Sequence, residues 1–408
     1  MRIGRTLPPA AAPLGLSGIL TGLAAPLCGR RSVGDFEREV AQWLGVKHCH
    51  ALSSGTAALT LGLAALRKLH PNRDEVLIPA YTCYSVPSAI VRAGLKVRLC
   101  DLAAGSFDFD YDALETMLSH PRLLCVIATH LYGIPSDIRR LRGLTRRHGI
   151  PVIEDAAQAM GGETEGKLIG ATGDIGLFSL GRGKACSTVA GGIITTDSDT
   201  VAREIGQLLP AIDRPGSAAT ARLVAESLAL WLMGRPGLFW LPKSLPFLRL
   251  GETRYHPCFP IRRMSSFQAG LSLGWRSRLE YFSSRRQSNV AHFRTLGVRP
   301  HGISGTADLP LLRLPVMAGS PAEKNALLAE SEQNGMGLSG GYPDSIDGIA
   351  GLDWLGSHDR FPVARETARL AVTLPVHPFV TSHDIDRIAR LLPPPAAAAS
   401  LPHAAAPR

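Results

Sequence analysis

Asp155 closes the apolar run PVIED, and Lys184 stands further along in the Gly/Ser-rich turn SLGRGK. A lysine amine forms an imine with an aldehyde, and a carboxylate can hold the proton on a pyridine nitrogen so that the ring accepts electrons. Those are the two demands of pyridoxal-phosphate chemistry. Ser54, Gly55 and Thr56 lie where an extended segment ends and the helical run TAALTLGLAAL begins, so backbone N–H groups and hydroxyls there can cradle a phosphate. Taken alone, that trio also reads as an ordinary helix N-cap. Ser179 adds a second hydroxyl near Lys184, and Gln158 follows closely on Asp155. Asp155 could itself be a helix cap, and Glu154 is a competing carboxylate. Neighbours at a strand end point to opposite faces, so only one of the two can meet a cofactor.

Positioning these groups requires a sheet whose strand ends share one rim. Short apolar runs alternate with helical patterns from about Asp35 to Asp197, which predicts a mostly parallel sheet wrapped by helices. Strands are expected at Val76–Ile78, Val97–Cys100, Leu123–Ala128, Val152–Ile153, Ile175–Phe178 and Gly192–Thr195. Helices are expected at Asp35–Leu44, Thr56–Leu69, Tyr84–Ala93, Tyr111–Leu118 and Asp137–His148, several opened by Asp, Ser or Thr caps. After Arg263 a long helical pattern runs through Phe293. Strand-like runs near Leu311–Val316 and Ala371–Pro375 and a closing helix at Asp384–Leu392 then suggest a smaller α/β domain. The resulting division is 1–34 as an N-terminal segment, 35–205 as the large domain, 206–262 as an apolar Pro-rich element, 263–393 as the small domain and 394–408 as a disordered tail.

With 408 residues, 45% hydrophobic and 19% charged, the chain can bury a large core in a soluble subunit. Its seven cysteines are scattered without a CxxC pair, which argues against a disulfide framework or a zinc site; no metal and reduced cytoplasmic thiols are expected. The net charge of +10 favours anionic partners. Basic residues come singly or as short pairs without interleaved aromatics, so no nucleic-acid groove is expected and an anionic substrate is favoured. Residues 1–29 superficially resemble a secretory signal, but Pro8, Pro9, Pro13 and Pro26 argue against one. The stretch LVAESLALWLMGRPGLFWLPKSLPFLRLG is interrupted by Pro236, Pro242 and Pro246 and by Arg235, Lys243 and Arg249, which excludes one membrane-spanning helix. It reads as a packing element between subunits or domains, or as a peripheral membrane contact through 223–250.

The order SGTAAL, VLIPAYT, AGLKVRLCD, THLYGIPSDI, GIPVIEDAAQAMGG, GDIGLFSLGRGK and GGIITTD resembles the DegT/DnrJ/EryC1/StrS family of pyridoxal-phosphate sugar aminotransferases. RRMSSFQAGL, GYPDSI and LPVHPFVTSHDIDRIARLL resemble its later landmarks, leaving the central apolar stretch and the tail outside the likeness. The resemblance implies a type I, aspartate-aminotransferase-like fold in a homodimer. Glutamate would be the amino donor, and a keto-sugar, normally nucleotide-linked, the acceptor, in amino-sugar or cell-surface polysaccharide synthesis.

Matched residue by residue, Lys184 falls on the Schiff-base lysine, Asp155 on the partner of the pyridine nitrogen, and Gln158 on the side chain near the ring oxygen. Gly55, Thr56 and Ser179 fall on the phosphate cup. His130 falls on a landmark near the site, where a loop-fixing role is an equal alternative; Arg182 and Tyr342 are candidate substrate contacts. Two positions depart from the family. Cys83 stands where an aromatic ring usually stacks on the cofactor, leaving Tyr84 or Tyr81 to supply it. Ile261 stands where an asparagine usually reaches the partner's phosphate, leaving Arg262, Arg263 or Arg182 to replace it. Relatives that dehydrate sugars carry histidine in place of the lysine, so Lys184 favours amino transfer, with elimination or isomerisation as the alternative; Asp155, Gln158, Ser179 and Lys184 standing together argue against a non-catalytic sensor.

Overall fold

The computed structural model describes residues 3–28, 32–248, 250–251, 253–303, 308–352, 355 and 360–392. The tail expected to be disordered lies outside the described residues.

The large domain is built on strands β1 (His48–Leu52), β2 (Glu75–Pro79), β3 (Lys96–Cys100), β4 (Leu123–Thr129), β5 (Val152–Asp155), β8 (Ile175–Ser179) and β9 (Gly192–Thr196), with a small hairpin of β6 (Glu163–Thr164) and β7 (Lys167–Leu168) between β5 and β8. The seven strands lie in the order β1-β9-β8-β5-β4-β2-β3. From β3 through β8 all pairings are parallel, while β9 runs antiparallel to both β8 and β1. Every residue of β4 is buried, as expected of a strand covered on both faces.

The helices are α1 (Leu16–Cys28), α2 (Val33–Leu44), α3 (Gly55–Leu69), α4 (Ser85–Arg92), α5 (Tyr111–Met117), α6 (Ile138–Thr145), α7 (Asp199–Leu208), α8 (Ser217–Met233), α9 (Trp240–Lys243), α10 (Ser266–Leu271), α11 (Trp275–Thr295), α12 (Pro321–Asn334), α13 (Pro362–Leu370) and α14 (Ser382–Leu391). The last three surround a two-stranded sheet of β10 (Arg313–Met317) and β11 (Ala371–Pro375), the small C-terminal layer.

The extended segment ahead of Ser54 is strand β1, which closes the sheet beside β9 and delivers the SGT turn to the rim. Two expectations need correction. The long helix after Arg263 is two helices, because Gly274 at φ 68° breaks the path between α10 and α11. The N-terminal segment contains α1 despite its prolines. Gly22 and Gly270 let α1 and α10 approach so closely that a Cβ on Gly270 would lie 2.7 Å from the Gly22 Cα. Tertiary packing therefore outweighs weak local propensity.

Ahead of α1 the chain straps the C-terminal layer. Leu7 N–H donates to the Gly335 carbonyl at 2.9 Å, His377 Nε2 to the Pro8 carbonyl at 2.7 Å, and Arg5 pairs with Asp384 at 2.6 Å. The central stretch folds into α8 and short turns. Of α8, only Ser227 is buried, and Leu228, Leu232, Leu238, Leu241, Leu245, Phe247 and Leu248 remain exposed.

Candidate active site

The antiparallel turn of β9 sets the rim. Because β9 runs opposite to both neighbours, β1 ends on the same edge as β8 and β5, bringing Gly55, Ser179 and Asp155 to one side of the sheet. Ser54 caps α3 by accepting the Ala57 N–H at 3.1 Å. The cap reading and the cradle reading therefore coexist. A Cβ on Gly55 would sit 3.0 Å from the Ser179 Cβ, so the two halves of the proposed phosphate cup touch and only glycine leaves the backbone open there. This close approach fits a small anion held by N–H groups and hydroxyls at a helix N-terminus.

Asp155 is 4% exposed. One carboxylate oxygen accepts the Ala157 N–H at 3.0 Å, and the other takes no hydrogen bond among the described residues. Burial raises its pKa, opposed by that N–H and by the positive charge of Lys184. Such a carboxylate is suited to a cationic N–H, which a protonated pyridine would provide. Lys184 is partly buried in its turn, and its amine makes no hydrogen bond among the described residues. A Cβ on Gly183 would lie 3.2 Å from the Ala10 carbonyl oxygen, so the N-terminal strap packs directly on the lysine turn. Arg182 beside it is exposed.

Glu154, the competing carboxylate, points the other way and is structural. It accepts N–H bonds from Gly170, Thr172 and Gly173 at 2.7–2.8 Å and from His130 Nε2 at 3.0 Å. The His130 Nδ1 accepts the Ser136 N–H at 3.0 Å, and the ring is fully buried. With both nitrogens committed, His130 fixes the loop after β4; a substrate contact is not open to it here.

Burial alone would raise the Glu154 pKa, but His130 and the backbone N–H groups outweigh it and lower the value. A depressed folded pKa stabilises the fold fully above the ordinary glutamate value of about 4.3 and ceases to do so as pH falls through the lowered folded value. Glu154→Gln should therefore lose about 3–5 kcal/mol at pH 7 in urea unfolding, with the gap to wild type narrowing toward pH 3. Equal stability at pH 7 would refute this role.

Gln158 sits between two tyrosines: its Oε1 accepts the Tyr132 N–H at 3.2 Å and its Nε2 donates to the Tyr342 hydroxyl at 2.9 Å. The Tyr342 N–H donates in turn to the Tyr81 hydroxyl, which lies 3.1 Å from that of Tyr132. Tyr84 does not stand free to stack on a cofactor. Its ring stacks on Tyr342 at 6.1 Å, and its hydroxyl is taken by the Asp344 backbone at 2.9 and 3.1 Å. Tyr81 is likewise fully buried. Neither alternative to the missing aromatic at Cys83 is available in this arrangement.

Of the three arginines expected to compensate for Ile261, Arg263 is turned to the Leu209 carbonyl at 2.6 Å. Arg262 lines a cavity of about 530 Å³ together with Ser54, Thr56, Arg222 and His256, and is the one placed next to the cup. The sequence reading missed Arg286 altogether. It is fully buried within the stripe of α11 formed by Leu279, Phe282, Asn289, Val290 and Phe293, and it donates to the Lys184 and Ala185 carbonyls at 3.2–3.3 Å. Burial pushes its pKa down to about 10, leaving a cation behind the lysine turn.

The mostly parallel sheet that brings Asp155 and Ser179 to one rim is the large domain of the pyridoxal-phosphate aminotransferase fold. The chain belongs to the DegT/DnrJ/EryC1/StrS aminotransferase family, whose signature matches residues 27–392. It is 36% identical to the GDP-perosamine synthase of Caulobacter vibrioides over a stretch covering 43% of this chain and 46% of that protein. It is 35% identical to the L-glutamine:2-deoxy-scyllo-inosose aminotransferase of Streptoalloteichus tenebrarius, covering 42% of this chain and 40% of that one. The matched region thus spans less than half the length of these curated relatives. Among solved structures, the Helicobacter pylori aminotransferase PseC, involved in pseudoaminic acid biosynthesis, superposes with a TM-score of 0.75 at 15% identity, covering 95% of this chain and 98% of that chain. The sugar aminotransferase CalS13 from Micromonospora echinospora gives 0.74 at 20% identity, with coverages of 94% and 98%. These likenesses establish the fold. Among the described residues no cluster of His, Cys, Asp or Glu is arranged to hold a metal ion.

Proposed function

We propose that the protein is a pyridoxal-phosphate-dependent aminotransferase that moves an amino group from glutamate to a nucleotide-linked keto-sugar, in the synthesis of amino sugars or cell-surface polysaccharide. The observation that carries this reading is the buried Asp155 carboxylate, with an oxygen left without a hydrogen bond among the described residues and Lys184 as a nearby cation. The family supports it, as do the amino sugar and the cyclitol ketone in its relatives' names.

Pyridoxal phosphate, when bound, supplies an aldehyde for the nitrogen and a ring that accepts electrons. Lys184 would hold it through Nζ, and the same amine would move a proton at the reacting carbon. Asp155 would hold the proton on its ring nitrogen, Gln158 would meet its ring oxygen, and Gly55, Thr56 and Ser179 would hold its phosphate. Arg286 fixes the carbonyls of the lysine turn.

The test is a half-reaction. Protein loaded with the cofactor should show visible absorption that borohydride fixes to the Lys184 peptide, and glutamate should bleach it while releasing one 2-oxoglutarate per site. A protein that takes up no cofactor sinks the reading.

A homodimer belongs to the same proposal, supported by the exposed leucines of α8 and the turns after it. Arg235 over the Trp231 ring also suits a peripheral contact with an anionic membrane. Among the described residues no helix is long and apolar enough to cross a membrane. Sedimentation of the protein alone and with liposomes separates these two uses of the surface.

A further inference from the structure

Tyr132 is held in the left-handed region at φ 58°, unusual for a residue with a side chain. Two contacts keep it there: its N–H donates to Gln158, and its carbonyl accepts the Leu312 N–H at 2.8 Å. Strain of this kind concentrates at ligand sites. The second contact also ties β10 of the small domain to the rim of the large one.

The residue after Leu312 is Arg313. Leu312 and Leu314 are buried in the core, and alternation along the strand turns Arg313 to the other face. There it is partly buried among the Tyr132, Tyr342 and Tyr81 phenols and the Cys83 thiol. Among the described residues its guanidinium has neither a carboxylate partner nor a hydrogen bond. Desolvation lowers its pKa, the mark of a cation whose counter-charge is missing. The rings of Tyr132 and Tyr342 lie nearly parallel, 16° apart with centroids at 6.2 Å, and Gln158 holds the Tyr342 hydroxyl.

We propose that Arg313, with the Tyr132 and Tyr342 side chains, forms the subsite that receives the carboxylate of the α-amino acid donor. This rests on the aminotransferase reading. A guanidinium takes a carboxylate through two parallel N–H bonds, which fixes the donor's orientation as well as its position. The cavity that Arg262 lines beside Ser54 and Thr56, where Arg222 pairs with Glu226 at 2.8 Å, is separate from this subsite. Arg313 lies instead on the Gln158 side, where only the small carboxylate needs a cation. Glutamate and glutamine share that group, so either donor would use it.

The test compares cofactor-loaded wild type, Arg313→Gln and Arg313→Lys by calorimetry, with glutarate as the carboxylate probe and uridine diphosphate as the carrier probe. Glutarate should bind Arg313→Gln about 30-fold more weakly or worse, and Arg313→Lys in between, while uridine diphosphate binds all three alike. Bleaching by glutamate and by glutamine should need correspondingly higher donor concentrations in Arg313→Gln. Unchanged glutarate affinity, no measurable glutarate binding to wild type, or selective loss of uridine diphosphate would overturn the assignment. Borohydride labelling of Lys184 in Arg313→Gln separates the two readings. If labelling persists while glutarate binding is unaffected, only the Arg313 subsite fails.

Discussion

Lys184→Ala protein is expected to show no borohydride-fixed label and to lose amino transfer by on the order of 10³-fold or more. The variant removes the covalent anchor and the proton carrier together, so the loss exceeds that of either role alone. The fold should survive, because the amine makes no hydrogen bond among the described residues and the backbone of the turn is held by Arg286 and the Gly181 carbonyl. The cofactor should still bind, weakly and reversibly, through the cup at Gly55, Thr56 and Ser179. Absorption of the loaded variant at the wavelength of the free aldehyde, lost on dialysis, is the signature to look for. Retained transfer above about a tenth of wild type would remove Lys184 from the reaction, because a general base alone contributes about 10²-fold.

What the sequence made legible follows from where chemistry and topology restrict residue type. Asp155, Ser179 and Gly55 stood out because strand ends and a helix start are positions that a parallel sheet places on one rim, and the structure shows why: β9 reverses so that β1 ends beside β8. β1 was legible only as an extended segment ahead of Ser54, because HCHAL is short and its histidines blur the apolar alternation. α1 was hidden in a segment read only for its prolines, whereas Gly22 admits α10 at close range. Arg286 was hidden for a different reason. In an arginine-rich helix a charged residue reads as a solvated face, and only the packing of Leu279, Phe282 and Phe293 around it shows that it points inward. Tyr84 looked free because its partners, Asp344 and Tyr342, lie far along the chain. Side-chain orientation is a tertiary property, and motif order cannot supply it.

Asp155→Asn is expected to reduce transfer by on the order of 10²–10³-fold while leaving cofactor uptake largely intact. The amide keeps the shape of the carboxylate and can still accept the Ala157 N–H, so folding should be little changed. What disappears is the negative charge. Burial already raises the Asp155 pKa, and the site tolerates the ion because Lys184 and the Ala157 N–H counter that cost. Bringing a protonated pyridine against the carboxylate supplies a far closer cation, which should pull the Asp155 pKa down and the ring nitrogen's up. With asparagine the ring loses its proton near neutral pH and no longer drains electrons from the reacting carbon. An analogue of the cofactor methylated on the ring nitrogen carries its charge permanently and needs no carboxylate to keep it. With Asp155→Ala, which has room for the methyl group, that analogue should recover at least about tenfold in half-reaction rate over the natural cofactor. Equal rates with both would show that Asp155 acts through packing, because a purely steric role is indifferent to the charge on the ring.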